Sequence, residues 1–224
     1  MGRKDSSGTG SGSSTRLYLI RHGEVTNALG KKVYNGQFDV DLSSDGYKQM
    51  EDVAGFLSDK PVRAVYSSDL KRTVIGARMI ADKHNLKAVQ KKDLREKDFG
   101  RWEGLTYDQA AERYPDEWQA WLADPVISRP GGGETFIEVE KRVIPEMEEI
   151  ISCHRGEEIV ILAHGGVNRI ILCRALGLEL RCIFRIEQGY AAINIIDFFE
   201  DTAYVKLMNY QIGGYSSNNI ENRR

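Results

Sequence analysis

Short runs of β-branched and aliphatic residues alternate with longer stretches of helical period, which restricts this chain to an α/β architecture. Leu17-Tyr-Leu-Ile20, Ala64-Val-Tyr66, Ile159-Val-Ile-Leu162, Ile193-Asn-Ile-Ile196 and Tyr204-Val-Lys-Leu207 read as strands, and the run from Leu86 to Gln90 is a weaker sixth. Tyr47, Met50, Ala54 and Leu57 predict one helix, with Ser43 as its N-cap and Leu42 stapled onto Tyr47. Leu70, Val74, Ala77 and Ala81 predict a second. Thr106-Tyr-Asp-Gln109 and Thr135-Phe-Ile-Glu138 have capping-box spacing, so a helix begins at each, the latter kinked or interrupted at Pro145. Val167, Ile170, Ile171 and Ala175 define another that stops at Gly177. The expected fold is a three-layer αβα sandwich, with helices on both faces of a mostly parallel six-stranded sheet.

A chain of 224 residues supports one full hydrophobic core. The domain is expected over residues 16–212. Residues 1–15, rich in Gly and Ser, read as a disordered leader or a remnant of cloning, and 213–224 as a flexible tail. The net charge of -2 provides no positive field for nucleic acid. No apolar run approaches the roughly 18 to 20 residues that cross a bilayer, and no signal peptide is visible. Cys153, Cys173 and Cys182 are odd in number and lack a CxxC pair, so they read as small buried thiols of a soluble, cytoplasmic protein.

In open α/β sheets, ligands bind beyond the carboxyl ends of the strands, where helix N-termini present free N–H groups. Three of the predicted strands run directly into polar sequence at that end: Arg21-His22-Gly23-Glu24, then Ser67-Ser68 followed by Arg72, then Ala163-His164-Gly165-Gly166. Two histidines and two arginines therefore share one rim. A guanidinium fork matches two oxygens of a phosphate dianion, and imidazole is an uncharged nucleophile near neutral pH. Gly23, Gly165 and Gly166 suit close approach of backbone to a ligand. A metal is disfavoured, because Arg21 beside His22 repels a cation, and no other cofactor is indicated. His84 and His154 sit near helix C-termini and take no catalytic role.

These residues carry a resemblance. RHGE at Arg21 to Glu24, SSDLKRT at Ser67 to Thr73, LREKDFGRWEG at Leu94 to Gly104, GGGET at Gly131 to Thr135 and AHGG at Ala163 to Gly166 occur in the order found in the histidine phosphatase superfamily. The chain resembles its phosphoglycerate mutase-like branch from Arg16 to about Asn209. That resemblance implies that His22 attacks phosphorus and becomes phosphohistidine, while Arg21, Arg72 and His164 hold the transferring oxygens and Glu96 protonates the leaving alcohol. Fixed cations around a loose phosphoryl transition state are what the chemistry needs, and Glu96 beside a dianion should have a raised pKa. His22 is expected to hold its other nitrogen against a backbone carbonyl.

Relatives often place an asparagine six residues past the nucleophile, whereas Asn27, the candidate phosphate contact here, is five past. Asn35-Gly36 and Asp39 lie in a loop that often lines the site. Gly165 joins Arg21, Arg72 and His164 as an expected phosphate contact. The charges of Arg95-Glu96-Lys97-Asp98 also fit surface pairing, Arg169 could brace its helix or touch substrate, and Trp102, Trp118 and Trp121 fit core or lid packing. Residues 106–124 are expected to form a helical lid.

The resemblance implies a metal-independent phosphomonoesterase acting on a small phosphorylated metabolite. Within the family, DFGRWEGLTYDQ is similar to bacterial α-ribazole phosphatases, which suggests α-ribazole 5′-phosphate as substrate. A cofactor-dependent phosphoglycerate mutase is the alternative, disfavoured because mutases carry a YGxLxGLNK block and a long insertion. A non-catalytic module that binds phosphorylated ligands is a third reading, disfavoured because every reacting residue type is present.

Overall fold

The computed structural model describes residues 14–26, 31 and 33–213. Six strands, β1 (Thr15–Arg21), β2 (Val62–Ser67), β3 (Ala88–Gln90), β4 (Glu158–Ala163), β5 (Ile193–Phe198) and β6 (Ala203–Tyr210), form one sheet in the order β3-β2-β4-β1-β5-β6. β1, β2, β3 and β4 are mutually parallel, and β5 is antiparallel to both β1 and β6. The expected three-layer α/β sandwich with a mostly parallel six-stranded sheet is therefore the fold. β1 begins at Thr15, one residue before the expected domain start. The rest of the expected leader, apart from Ser14, lies outside the described residues, as does the tail after 213.

Strand periodicity explains the two cores. Leu17, Leu19, Ile159 and Ile161 point to one face, where α5 (Phe136–Cys153) and α6 (Gly165–Leu176) supply Val139, Val143, Met147, Ile150, Val167 and Ile171. Tyr18, Ile20, Val160 and Leu162 point to the other, against Met50, Val53 and Leu57 of α1 (Ser44–Leu57) and Ala77 and Ile80 of α2 (Lys71–Lys83). Both capping boxes form, at Thr106 and Thr135, Ser43 caps α1, and Gly177 ends α6 in the left-handed region at φ 64°. His84 and His154 are the C-cap residues of α2 and α5.

Three expectations need correction. Tyr47 does not join the buried stripe of α1: it is exposed and donates its hydroxyl to Asp41, while Val53 takes the core position. α5 is not interrupted at Pro145: the helix continues to Cys153, with Pro145 exposed and Val143 and Met147 buried on either side of it. Of the cysteines only Cys173 is buried; Cys153 is exposed and Cys182 half-buried. Cys153 is the last residue of α5, and Cys182 lies in a turn of 3-10 helix whose buried position is taken by its neighbour Ile183.

The expected helical segment is two short helices, α3 (Tyr107–Arg113) and α4 (Pro115–Ala123), split where Pro115 starts the second. They dock through fully buried Trp102, which packs against Tyr34, Trp118 and Trp121 at centroid distances of 5.2, 5.6 and 6.3 Å. Among the described residues, no helix is long and apolar enough to cross a membrane.

Candidate active site

β1 and β4 lie side by side, so His22 and His164, which follow their last residues, meet with ring centroids 5.2 Å apart. His22 is buried, and its Nδ1 lies 2.8 Å from the Gly23 carbonyl oxygen. That contact makes Nδ1 the protonated nitrogen and leaves the lone pair on Nε2. Burial, then the charges of Arg72 and Arg21, hold the His22 imidazole well below its ordinary pKa. The ring is accordingly neutral.

Gly23 has a different function from the one expected. A Cβ there would strike the carbonyl of Gly46, in the first turn of α1, and one on Gly46 would strike that of Glu24. The two glycines let the loop after His22 cross α1 backbone to backbone.

Arg72, in the first turn of α2, is 1% exposed, and burial pushes its guanidinium down to about 10. Nη1 and Nη2 donate to the carbonyls of Phe38 and Gly36 at 3.0 and 2.5 Å. The loop of Asn35, Gly36 and Asp39 thus holds Arg72 with main-chain oxygens, while Asp39 accepts from the Lys71 N–H. Arg21 lies 4.2 Å over the ring of Tyr190 and donates to the Gln188 carbonyl at 2.6 Å. Nε of both arginines is buried without a hydrogen-bond partner, as is Nδ1 of His164. The other nitrogen of His164, Nε2, lies 2.7 Å from Ser68 Oγ.

Glu96 reaches the same rim from a non-regular segment. Its carboxylate accepts from the Gly166 N–H at 3.0 Å and from its neighbour Lys97 N–H at 2.9 Å. The segment is clamped by Arg142, which donates to the carbonyls of Asp93, Arg95 and Glu96 and forks onto Glu134. Arg95 pairs with Asp69 through two bonds. Lys97 departs furthest from the expected surface pairing: it is fully buried among Phe99, Trp121 and Phe136, donates to the Glu134 carbonyl, and is pushed down to about 8 by burial.

The structure brings together Arg21, His22, Arg72, Glu96, His164 and Gly165; an ideal Cβ on Gly165 would sit 3.4 Å from Arg21 Nε and from Arg169 Nη1. Arg169 donates Nε to the Ile186 carbonyl. Asn27 lies outside the described residues. Among the described residues no three His, Cys, Asp or Glu side chains are grouped to hold a metal ion.

The sequence profile of the histidine phosphatase superfamily (branch 1) matches residues 17–211, nearly all of the described fold. The chain belongs to that superfamily. The bifunctional protein Rv2228c of Mycobacterium tuberculosis is 36% identical over 200 residues, 88% of this chain but 54% of that protein. The chain thus spans about half the length of the first curated relatives it matches. Phosphoserine phosphatase 1 of Hydrogenobacter thermophilus is 31% identical over 195 residues, covering 87% of this chain and 92% of that one. The crystal structure of the α-ribazole phosphatase from Shigella flexneri superposes with a TM-score of 0.81 at 25% identity, over 90% of this chain and 100% of that one.

As a histidine phosphatase-type chain it also has site residues that strand-end reasoning passes over. Gln188 and Tyr190 precede β5, and because β5 runs against its neighbours, its beginning lies at this rim. Ser68 and Arg142 carry no signal of their own beyond polar character at the right end of β2 and on the buried side of α5.

Proposed function

We propose that this chain is a metal-independent phosphomonoesterase that acts on a small phosphorylated metabolite through phosphohistidine at His22. The observation that carries the reading is the Nδ1 contact of His22 with the Gly23 carbonyl, 2.8 Å long, in a ring kept neutral by burial beside two guanidinium groups. In this reading Nε2 attacks phosphorus, the bond to the leaving oxygen breaks, and Glu96 gives that oxygen a proton. Arg21, Arg72, His164 and the Gly165 N–H stabilise charge on the equatorial oxygens. Water then attacks the phosphohistidine, Glu96 takes its proton, and inorganic phosphate leaves. Asn27 is retained as a further phosphate contact.

α3 and α4 act in this reading as a lid that selects the substrate. Phosphoserine, named for one relative, and α-ribazole 5′-phosphate, named for one structural neighbour and favoured by the stretch Asp98 to Gln109, are the first substrates to try. Free thiols at Cys153, Cys173 and Cys182 suit a cytoplasmic enzyme.

The test is a panel of phosphomonoesters with EDTA present, together with labelling of the enzyme and the acid lability of the label. His22→Ala is expected to abolish both turnover and labelling while the fold persists. A labelled, active variant would overturn the assignment, transfer of phosphate without release would make it a mutase, and a silent panel would make it a binding module.

A further inference from the structure

Ser68 and Thr73 form a chain of hydroxyls behind His164, and its polarity can be assigned. All three residues are fully buried. Thr73 Oγ1 lies 2.8 Å from the Leu70 carbonyl oxygen and 3.1 Å from that of Ser68. Two carbonyl oxygens this close require the threonine proton to point at them, as is usual for threonine in a first helical turn. The 2.7 Å contact between Ser68 Oγ and Thr73 Oγ1 must then contain the serine proton. Ser68 Oγ therefore has only lone pairs to offer, one accepting from the Leu70 N–H at 3.3 Å and the other facing His164 Nε2 at 2.7 Å.

We infer that Ser68 and Thr73 are positioning residues that fix the ligand-free His164 as its Nε2–H tautomer, so that a phosphate dianion binds with uptake of one proton from solvent onto Nδ1. The opposite polarity, with Ser68 donating to Nε2, would leave the Thr73 lone pairs facing two carbonyl oxygens. This inference rests on the proposed phosphate site, because it takes Nδ1, buried and without a partner, as the atom that faces the transferring oxygens. In the bound state Nδ1–H becomes a donor, and its positive charge is matched by the dianion.

The groups around His164 fit this inventory. His22 and Arg21 face it from the end of β1, Arg72 from α2 and Arg142 from α5, while the Glu96 carboxylate sits two residues along, on the Gly166 N–H. Burial first, then the charge of Arg72 and those of Arg21 and Arg142, keep the ring neutral in the free protein. The dianion reverses that balance.

The experiment has two arms, both on the full chain. Nitrogen-15 NMR of the ligand-free protein should show His164 with Nε2 protonated and Nδ1 bare. Calorimetry with inorganic phosphate at about pH 8.5, in buffers of different ionisation enthalpy, should report about one proton taken up per phosphate, with affinity falling about tenfold per pH unit above that. Thr73→Val, which removes the acceptor and frees the Ser68 proton to turn toward Nε2, should convert His164 to the Nδ1–H tautomer and reduce proton uptake toward zero. Ser68→Ala should reduce uptake in the same way. An Nδ1–H or cationic ring in the free wild-type protein, or phosphate binding without proton uptake, would overturn the inference. Absence of phosphate binding would count instead against the proposed site, and the ring tautomer would still decide the polarity of the relay.

Discussion

Replacing Gly166 by alanine should separate the acid from the nucleophile without harming the fold. An added Cβ would press on Glu96 Oε1 and lie 3.3 Å from its Cδ and 3.1 Å from Phe136 Cε1. Restoring ordinary contact requires the carboxylate to retreat by about 1 Å, which also breaks its bond from the Gly166 N–H, now 3.0 Å. A misplacement of about 1 Å at a reacting group costs on the order of 100-fold in rate, or about 2.7 kcal/mol of transition-state stabilisation. Stability should change little, because alanine is the better helix former and Phe136, at 3.1 Å, need yield by only a few tenths of an ångström. The assay compares kcat/KM, which excludes the hydrolysis of phosphohistidine that both esters share, for an alkyl phosphate and for p-nitrophenyl phosphate, whose leaving group needs no proton. The alkyl ester should slow about 100-fold and the aryl ester much less. A kcat/KM for the alkyl ester within about threefold of wild type, in a variant that melts normally, would refute Glu96 as the acid.

Gly23→Ala should behave in the opposite way, losing about 1–3 kcal/mol in a denaturant melt, because its Cβ meets the Gly46 carbonyl and neither backbone can yield. Lys97→Met should raise stability near neutral pH. Burial lowers the folded amine from 10.5 to about 8, so the unfolded chain binds the extra proton between those values. Wild-type stability therefore rises with pH across that window, by about 3 kcal/mol, and the advantage of methionine should shrink over the same interval in melts from pH 7 to 11. Because the folded pKa of His22 is depressed, the acid limb that it contributes to kcat/KM should fall below pH 6.5; a limb at or above that value would mean that the ring is solvated or paired.

Much of this was readable from the chain because strand and chemistry are adjacent in it. Arg21 and His22 follow β1 with no intervening loop, and His164 follows β4 in the same way, so parallel pairing alone brings them together. Glu96 has no such anchor, since it lies between turns of irregular helix, and only the block similarity singled it out. The charge of Lys97 pointed to the surface, while its burial depends on Phe99, Trp121 and Phe136, which converge only in the folded chain. Gln188 and Tyr190 escaped because the rule examined where strands end, and β5 enters the rim where it starts.

The position of β1 has a consequence for synthesis. Its two neighbours, β4 and β5, come from residues 158–163 and 193–198, so the strand that leads into His22 is made long before either partner. Such distant pairing is slow to form, and the acceptor for Arg21 at Gln188 is itself among the later residues. A nascent chain halted before β5 would hold both histidines yet lack one side of the cradle, so activity should emerge abruptly once Gln188 and β5 are made rather than grow with chain length.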